Sequence, residues 1–216
     1  MKIMDHSTRD DLVITSSSDS SSKRDRGIVI VVSGPPGSGK STLAKKLAMR
    51  FKLRYHSTGA LFRRIASERG VDVATLDELA KKDPSIDLEI DRIARDEATR
   101  GNVVVDAHIG GWLLRDLSDL SIYVTASLKT RAKRISKRDK KSFEEAMREI
   151  ISRENAMRSR FKEIYNIDIE DLSVYDLIIN TERINEETMI EIASVAVEKI
   201  ISLKRSSDHT LTDKLF

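Results

Sequence analysis

The most constraining feature of this chain is the segment 34–42, which reads GPPGSGKST and fills the pattern GxxxxGK[ST] in full. Residues 27–32 before it are rich in β-branched side chains, as in a buried strand. Residues 41–51 after it carry Leu43, Leu47 and Phe51 at helical spacing. Glycines let backbone N–H groups turn toward phosphate oxygens, which the start of the following helix also attracts. The segment therefore predicts a binding site for a nucleoside triphosphate.

Each residue of this loop is a candidate contact to the triphosphate. The set is Gly34, Pro35, Pro36, Gly37, Ser38, Gly39, Lys40, Ser41 and Thr42. Lys40 brings a full positive charge toward the β- and γ-phosphates, and the Ser41 hydroxyl is an oxygen ligand that suits Mg²⁺. Residues 102–106 form an apolar predicted strand that ends in Asp106. Its carboxylate is a second candidate Mg²⁺ ligand, the alternative being a turn-forming residue that only ends the strand.

Strands and helices alternate along the rest of the chain. Further strands are predicted at 53–56, 120–125 and 175–180, and further helices at 59–69, 77–99 with a restart near Pro84, 128–137, 143–160 and 185–203. This alternation predicts a parallel sheet with helices on both faces. The Ser-rich residues 1–26 predict a disordered extension, residues 27–204 the folded domain and residues 205–216 a polar tail.

Composition excludes several other classes of protein. The chain has 216 residues and no cysteine, which excludes disulfides, zinc–thiolate sites and cysteine nucleophiles and agrees with a cytoplasmic location. Its longest aliphatic run, residues 28–32, is too short to cross a membrane, and no membrane partner is expected. The net charge is only +3, yet residues 131–163 hold twelve basic and six acidic side chains. Such a segment is either a solvated surface or a contact to polyanions.

A phosphate loop alone is compatible with NTPases, GTPase switches, motors and small-molecule kinases. The chain has no NKxD segment of the kind that reads guanine. After the second predicted strand, Ser57 and Gly59 begin a helix that carries Arg63 one turn later, and this arrangement can seat a second anion. Gly111 and Trp112 either shape a nucleobase pocket or pack in the core. The alternative is a nucleic-acid-binding P-loop protein, in which the basic segment 131–163 would contact the phosphate backbone, although nucleic acid is not the expected partner.

Residues 28–203 resemble an archaeal-type cytidylate kinase, within the nucleoside monophosphate kinase family. The segments that carry the resemblance are GPPGSGKST, STGALFR, DPSIDLEIDRIARDEATRGNVVVDAHIGGWLL, TRAKRISKR and RENAMRSRFKEIYNIDIEDLSVYDLIINT. The resemblance implies an α/β, three-layer P-loop kinase fold with a five-stranded parallel sheet, a monophosphate-binding region and a mobile lid over about 131–162. It implies a monomer that uses ATP and Mg²⁺ to phosphorylate CMP or dCMP; another monophosphate kinase, such as an adenylate kinase, is the alternative.

The same resemblance implies roles for individual side chains. Its catalytic set is Lys40, Arg134, Arg138, Arg153 and Arg160. Its substrate-binding set is Ser57, Gly59, Arg63, Asp106, His108, Gly111 and Trp112. Arg63 is expected to hold the acceptor phosphate, Arg134 and Arg138 to close over the phosphates, and Arg153 and Arg160 to contact the transferring phosphoryl group and the acceptor.

Two positions depart from the family's pattern. Relatives usually read EGR or DGR where this chain has Asp106, Ala107 and His108, so an imidazole that is mostly neutral near pH 7 replaces a permanent guanidinium. Relatives also carry an acid associated with nucleoside recognition where Met157 stands. Both departures bear on pyrimidine selectivity and on rate more than on the class of reaction.

Overall fold

Five parallel strands form the central sheet of the computed structural model, which describes residues 26–212. The strands are β1 (Val29–Ser33), β2 (Arg54–Ser57), β3 (Val103–Asp106), β4 (Leu120–Thr125) and β5 (Leu177–Asn180). Their order in the sheet is β2-β3-β1-β4-β5, which places β1 in the middle, paired with β3 on one side and β4 on the other. The phosphate loop therefore leaves the sheet at the centre of its carboxyl edge, where ligands of open α/β sheets bind.

Eight helices connect and follow these strands within residues 26–212. They are α1 (Lys40–Arg50), α2 (Thr58–Glu68), α3 (Val73–Lys82), α4 (Ser85–Thr99), α5 (Gly110–Leu113), α6 (Leu128–Asp139), α7 (Phe143–Tyr165) and α8 (Glu186–Thr212). None of the helices in this part of the chain is both long and apolar enough to cross a membrane.

Alternate residues of β1 point to opposite faces of the sheet and build two core layers. Ile30 and Val32 pack with Leu43 and Leu47 of α1 and with residues of α8. Val29 and Val31 pack on the other face, with residues of α4 and of the segment that follows β3. All five residues of β1 are buried, as expected for a strand covered on both faces. These layers confirm the predicted three-layer α/β fold.

Two smaller apolar clusters lie apart from the sheet. One joins α2, α3 and α4 through side chains that include Phe62, Leu76 and Ile90. The other joins α6 and α7 through Ala132, Ile135, Ala146 and Ile150. Because each cluster has its own interior, the α2–α4 unit and the α6–α7 hairpin are each held together independently of the sheet, which is the construction that movable parts need.

Most predicted element boundaries differ from the observed ones by a few residues. The restart predicted near Pro84 within 77–99 is confirmed, since α3 ends at Lys82 and α4 begins at Ser85, but α3 begins at Val73, four residues before the predicted start. The predicted last helix, 185–203, was too short: α8 continues to Thr212, eight residues into what was predicted as a polar tail. No Gly or Pro interrupts residues 204–212, so the backbone can remain helical there. Apart from Arg26, the predicted extension 1–26 lies outside the described residues.

The start of α7 supplies a stability test. Ser142 Oγ accepts a hydrogen bond from the N–H of Glu145 at 3.1 Å, and Glu145 Oε2 accepts one from the N–H of Ser142 at 2.8 Å. This capping box satisfies two N–H groups that the helix leaves unpaired, so we expect Ser142→Ala to lower the free energy of unfolding by about 1 kcal/mol. Urea denaturation measures the change.

Ser152→Ala is the matched control, since Ser152 is exposed in the middle of the same helix. Alanine has the higher helix propensity, so this variant should be neutral or slightly stabilising. Equal effects of the two substitutions would contradict the capping role of Ser142.

Candidate active site

The loop between β1 and α1 has the backbone conformation that its glycines predict. Gly34 and Gly37 have φ values of 145° and 80°, which L side chains rarely adopt. A Cβ at Gly34 would lie 2.1 Å from the carbonyl oxygen of Val124, so no side chain fits there. A cavity of about 830 Å³ is bordered by six residues of the loop: Pro36, Gly37, Gly39, Lys40, Ser41 and Thr42. The other three residues of the loop, Gly34, Pro35 and Ser38, do not border it. The cavity thus begins at the N-terminal end of α1, which favours an anion.

The outer side of the loop is held by hydrogen bonds to its carbonyl oxygens. Arg131 Nη1 donates to the carbonyl oxygen of Pro36 at 3.2 Å, and Arg134 Nη1 donates to that of Ser38 at 3.2 Å. The Thr181 hydroxyl also donates to the Ser38 carbonyl, at 3.0 Å, and Arg134 Nη2 donates to the Thr181 carbonyl at 2.8 Å. The Ser38 N–H donates to the Pro35 carbonyl at 3.2 Å, whereas Gly37, Gly39 and Lys40 border the cavity, where their N–H groups can meet a phosphate. Arg134 therefore supports the loop as well as bordering the cavity.

Asp106 and Lys40 lie at the carboxyl edge of the sheet and both border the cavity. Asp106 is only 2% exposed. Its Oδ2 accepts hydrogen bonds from the Tyr55 hydroxyl at 2.9 Å and from Ser57 Oγ at 3.3 Å, whereas its buried Oδ1 has no hydrogen-bond partner within residues 26–206. Burial lowers the pKa of Lys40, and Asp106 opposes that shift. Asp106 Oδ1, the carboxylate oxygen that receives no hydrogen bond from β2, is therefore available to a cation.

The start of α2 supplies the side of the cavity predicted to take a second anion. Ser57 Oγ caps the helix by accepting from the N–H of Ala60 at 3.2 Å. Ser57, Gly59 and Arg63 all border the cavity, as predicted. Arg63 is exposed and forms no ion pair with any other described side chain. An uncompensated guanidinium beside the phosphate loop is suited to hold a second phosphate.

The hairpin of α6 and α7 brings further arginines to the cavity. Arg138 borders the cavity while its Nε and Nη2 donate to the carboxylate of the neighbouring Asp139, at 2.6 and 2.8 Å. Arg153 is about one-third exposed, and its Nε lies 3.8 Å from Asp77 Oδ2. Arg138 is exposed, and Arg153 keeps about one-third of its side chain exposed although its Nε is buried, so both can exchange these partners for a phosphate.

Arg160 has a different environment from the other arginines. Its side chain is 4% exposed, and it forms ion pairs with Asp77 Oδ1 at 3.0 Å and Asp87 Oδ2 at 2.7 Å. The guanidinium carbon lies 5.7 Å from the ring centroid of Phe62 and 5.5 Å from that of Phe161. Two carboxylates neutralise this cation, so it adds no net positive charge to the cavity.

The same region of the cavity carries a third carboxylate, Asp91, which accepts a hydrogen bond from the Tyr165 hydroxyl. Burial raises the pKa of Asp87 to about 6 and that of Asp91 to about 6, and the two acids are one turn apart on α4. Apolar side chains surround them along the cavity: Phe62, Val73, Ile90, Ile109, Leu113, Met157 and Phe161. This end is therefore acidic and apolar, unlike the basic end at the phosphate loop.

His108 also borders the cavity, with its ring centroid 6.0 Å from that of Phe161. Burial lowers the pKa of His108 to about 3, and the nearby cations Lys40 and Arg153 lower it further. The imidazole is therefore neutral at pH 7, in agreement with the interpretation of the sequence. It can exchange hydrogen bonds with a ligand but brings no charge.

Two predicted substrate contacts lie away from the cavity. A Cβ at Gly111 would lie 2.3 Å from Cε1 of Tyr175, so this glycine is covered by that ring. Trp112 packs against the apolar cluster of Ile109, Met157 and Phe161. These three residues border the cavity, whereas Trp112 does not. Of the two readings of Gly111 and Trp112, these contacts favour core packing.

Several side chains around the cavity escaped the sequence analysis: Tyr55, Asp77, Asp87, Arg131 and Thr181. Tyr55 had a usable signal, because it stands two residues before Ser57 and so shares that residue's face of β2. Asp77 and Asp87 also had a usable signal. Each acid directly follows an apolar residue, Leu76 or Ile86, at a place where the sequence does not predict a solvated helix face. Nothing in the local sequence indicates Thr181, whose partners lie far away along the chain.

Comparison with known proteins agrees with this site. The family model described as the cytidylate kinase-like family matches residues 29–183. A protein named cytidylate kinase from Ignicoccus hospitalis is 51% identical over 163 residues, covering 76% of this chain and 95% of that protein. A second, from Staphylothermus marinus, is 48% identical over 174 residues, covering 81% of this chain and 98% of that protein.

Solved structures with the same fold are more distant. An uncharacterized protein from Eubacterium ventriosum aligns over 79% of this chain and 98% of its own, with a TM-score of 0.61 and 19% identity. Shikimate kinase from Acinetobacter baumannii, solved with shikimate, aligns over 85% of this chain and 98% of its own, with a TM-score of 0.52 and 16% identity. These likenesses confirm the fold of a P-loop kinase. The chain belongs to the cytidylate kinase-like family, because the family model matches residues 29–183 and the two curated relatives align with this chain over nearly their whole length.

Proposed function

We propose that this protein transfers the γ-phosphoryl group of ATP to CMP or dCMP, giving ADP and CDP or dCDP. The observation that carries the proposal is that one cavity is bordered both by the phosphate loop and by Arg63, which forms no ion pair with any other described side chain. Two phosphate groups can therefore face each other there. The names of the curated relatives supply the choice of cytidine nucleotides as acceptors.

The acceptor needs no general base from the protein. A phosphate monoester has a second pKa near 6 and is largely a dianion at pH 7. One of its oxygens forms the new P–O bond while the bond from the γ-phosphorus to the β,γ-bridging oxygen of ATP breaks, and ADP leaves with that electron pair. His108, the imidazole in the cavity, is neutral, and the transfer requires no proton from it. The protein's task is to align two polyanions.

Bringing two anions together requires positive charge around them. Two like unit charges 4 Å apart repel by about 4 kcal/mol at an effective dielectric constant of 20. We assign Lys40 to the β- and γ-phosphates, Arg63 to the acceptor phosphate, and Arg138 and Arg153 to the group in transfer. Burial lowers the pKa of Lys40, and the negative charge of bound ATP would oppose that shift and favour the charged form.

The residues around Lys40 fit a bound Mg²⁺. Asp106 presents a buried oxygen, Oδ1, without a partner among the described residues, and Ser41 places a hydroxyl in the first turn of α1. Both are hard oxygen donors, and Mg²⁺ in nucleotide sites is commonly held by one or two protein ligands, phosphates and water. When bound, the ion would neutralise the phosphate oxygens of ATP and fix their orientation.

Closure of the α6–α7 hairpin is expected to complete the site. Arg131 and Arg134 tie the first turns of α6 to the phosphate loop, so the movement should lie beyond them and carry Arg138 and Arg153 inward. Arg138 would then leave Asp139 for a phosphate oxygen. Closure also excludes water, which otherwise competes with the acceptor for the γ-phosphoryl group.

A panel of monophosphates tests the proposed function. With ATP and Mg²⁺, we expect kcat/KM for CMP or dCMP to exceed that for AMP, UMP and GMP by at least about tenfold, because the acceptor base is selected by a fixed cavity. A coupled assay of ADP release measures the rates. A strong preference for AMP would assign the protein to another class of monophosphate kinase, and ATP hydrolysis without dependence on any acceptor would overturn phosphoryl transfer.

Lys40→Ala tests the role of the phosphate loop. Loss of a charge placed on the transferring phosphates should lower kcat for CMP by at least about 100-fold. The control is Lys46→Ala on the same helix, since Lys46 is exposed and does not border the cavity. If the two variants were equally active, Lys40 could not have this role.

The protonation state of His108 can be measured directly. Because burial lowers its pKa to about 3, the imidazole NMR signals of the free enzyme should not titrate between pH 8 and 5. The signals are assigned by their loss in His108→Asn. In urea-unfolded protein the same residue should titrate near pH 6.5, so its contribution to stability is full above that pH and declines as the pH falls below it. A native pKa near 6.5 would contradict the buried, neutral assignment.

A further inference from the structure

The end of the cavity away from the phosphate loop is unsuited to a phosphate group. Asp77, Asp87 and Asp91 all border this part of the cavity, and the cations that contact them are Arg160 and, at 3.8 Å, Arg153. A dianion placed beside three carboxylates would be repelled. The nonionic part of a nucleotide, its base and sugar, is therefore the part that fits here.

The walls of this end are suited to a nucleobase. Phe62 and Ile90 come from the α2–α4 unit, while Ile109 and Phe161 come from the opposite side. Flat apolar surfaces with a few fixed polar groups are the usual surroundings of a bound heterocycle. The polar groups then decide which base edge is accepted.

Asp87 is the best placed of these polar groups to select a base. Its side chain is 8% exposed, and its Oδ2 lies 2.7 Å from Arg160 Nε, an ion-pair contact that holds the carboxylate beside the guanidinium. Asp87 Oδ2 is buried and has no hydrogen-bond partner among residues 26–206, so the carboxylate can still accept a hydrogen bond from a ligand in the cavity that it borders. By contrast, Asp91 is engaged by the Tyr165 hydroxyl, and both oxygens of Asp77 lie next to Arg160 or Arg153.

We propose that Asp87 selects the acceptor base, its carboxylate accepting a hydrogen bond from the exocyclic amine of cytosine. A carboxylate accepts from an amine but repels the carbonyl oxygen that uracil carries at the same position. Arg160 is a positioning residue in this scheme, because its guanidinium forms the ion pair that keeps the Asp87 carboxylate in place. The inference rests on the proposed function and names the group within that site that distinguishes CMP from UMP.

Asp87→Asn tests this role with a nearly isosteric change. An amide can turn its NH₂ group toward uracil, so the ratio of kcat/KM for CMP to that for UMP should fall at least about tenfold, with KM for ATP unchanged within about twofold. The control is Asp96→Asn on the same helix, since Asp96 is exposed and paired with Arg92. The proposal would be overturned if Asp87→Asn left the CMP/UMP ratio of kcat/KM unchanged, including the case in which both rates fall equally. A structural or ribose-binding role of Asp87 would affect both acceptors alike.

A substrate analogue provides a second measurement that does not depend on the variant's folding. Pyrimidin-2-one riboside 5′-monophosphate is CMP with a hydrogen in place of the amine. With the wild-type protein, its kcat/KM should be at least about tenfold below that of CMP, and in Asp87→Asn this difference should largely disappear. Equal kcat/KM for CMP and the analogue in the wild type would overturn the proposal whatever the variant does.

These outcomes separate the inference from the function on which it rests. Wild-type protein that phosphorylates no cytidine monophosphate would overturn the proposed function and, with it, the role of Asp87. Wild-type protein that phosphorylates CMP but keeps its CMP/UMP ratio in Asp87→Asn would overturn the role of Asp87 alone.

Discussion

The proposed chemistry depends on a loop of backbone N–H groups that face a cavity before any phosphate arrives. Holding this shape requires positive φ angles at Gly34 and Gly37 and partners for the carbonyl groups on the outer side. Those partners come from α6 and from Thr181, whose N–H donates to the carbonyl oxygen of Thr125 at the end of β4. The loop is thus preorganised by the pairing of β4 with β5, and little reorganisation is left for the moment of reaction.

The small net charge of the chain conceals a strong separation of charge within one cavity. Lys40, Arg63 and Arg138 border the cavity at the phosphate loop, where Asp106 is the nearby acid, whereas Asp87 and Asp91 border the other end; Arg153 lies between the two, 3.8 Å from Asp77. A nucleotide has the same polarity, with its charge at one end and a neutral heterocycle at the other. The field of the cavity therefore orients the acceptor, since a reversed nucleotide would place its phosphate among carboxylates.

The parts of the molecule that local sequence determines were predicted, and the parts set by distant contacts were not. The phosphate loop, the alternation of strands and helices, and the placement of Ser57, Gly59 and Arg63 on the cavity followed from motifs and spacing. Arg134 was expected to act from a lid, but its guanidinium is engaged by Thr181, 47 residues further along the chain. Spacing within α6 contains no information about that contact.

The start of β1 and part of α8 meet at the amino edge of the sheet. Lys204, in α8, is 3.5 Å from the carbonyl oxygen of Gly27 and forms an ion pair with Asp119 at 3.1 Å, while Asp119 also accepts from the N–H of Val29. The five residues of β1, about 16 Å of extended chain, separate this point from the phosphate loop. A segment fused immediately before β1 therefore starts on the side of the sheet away from the cavity, where it cannot obstruct the phosphate loop.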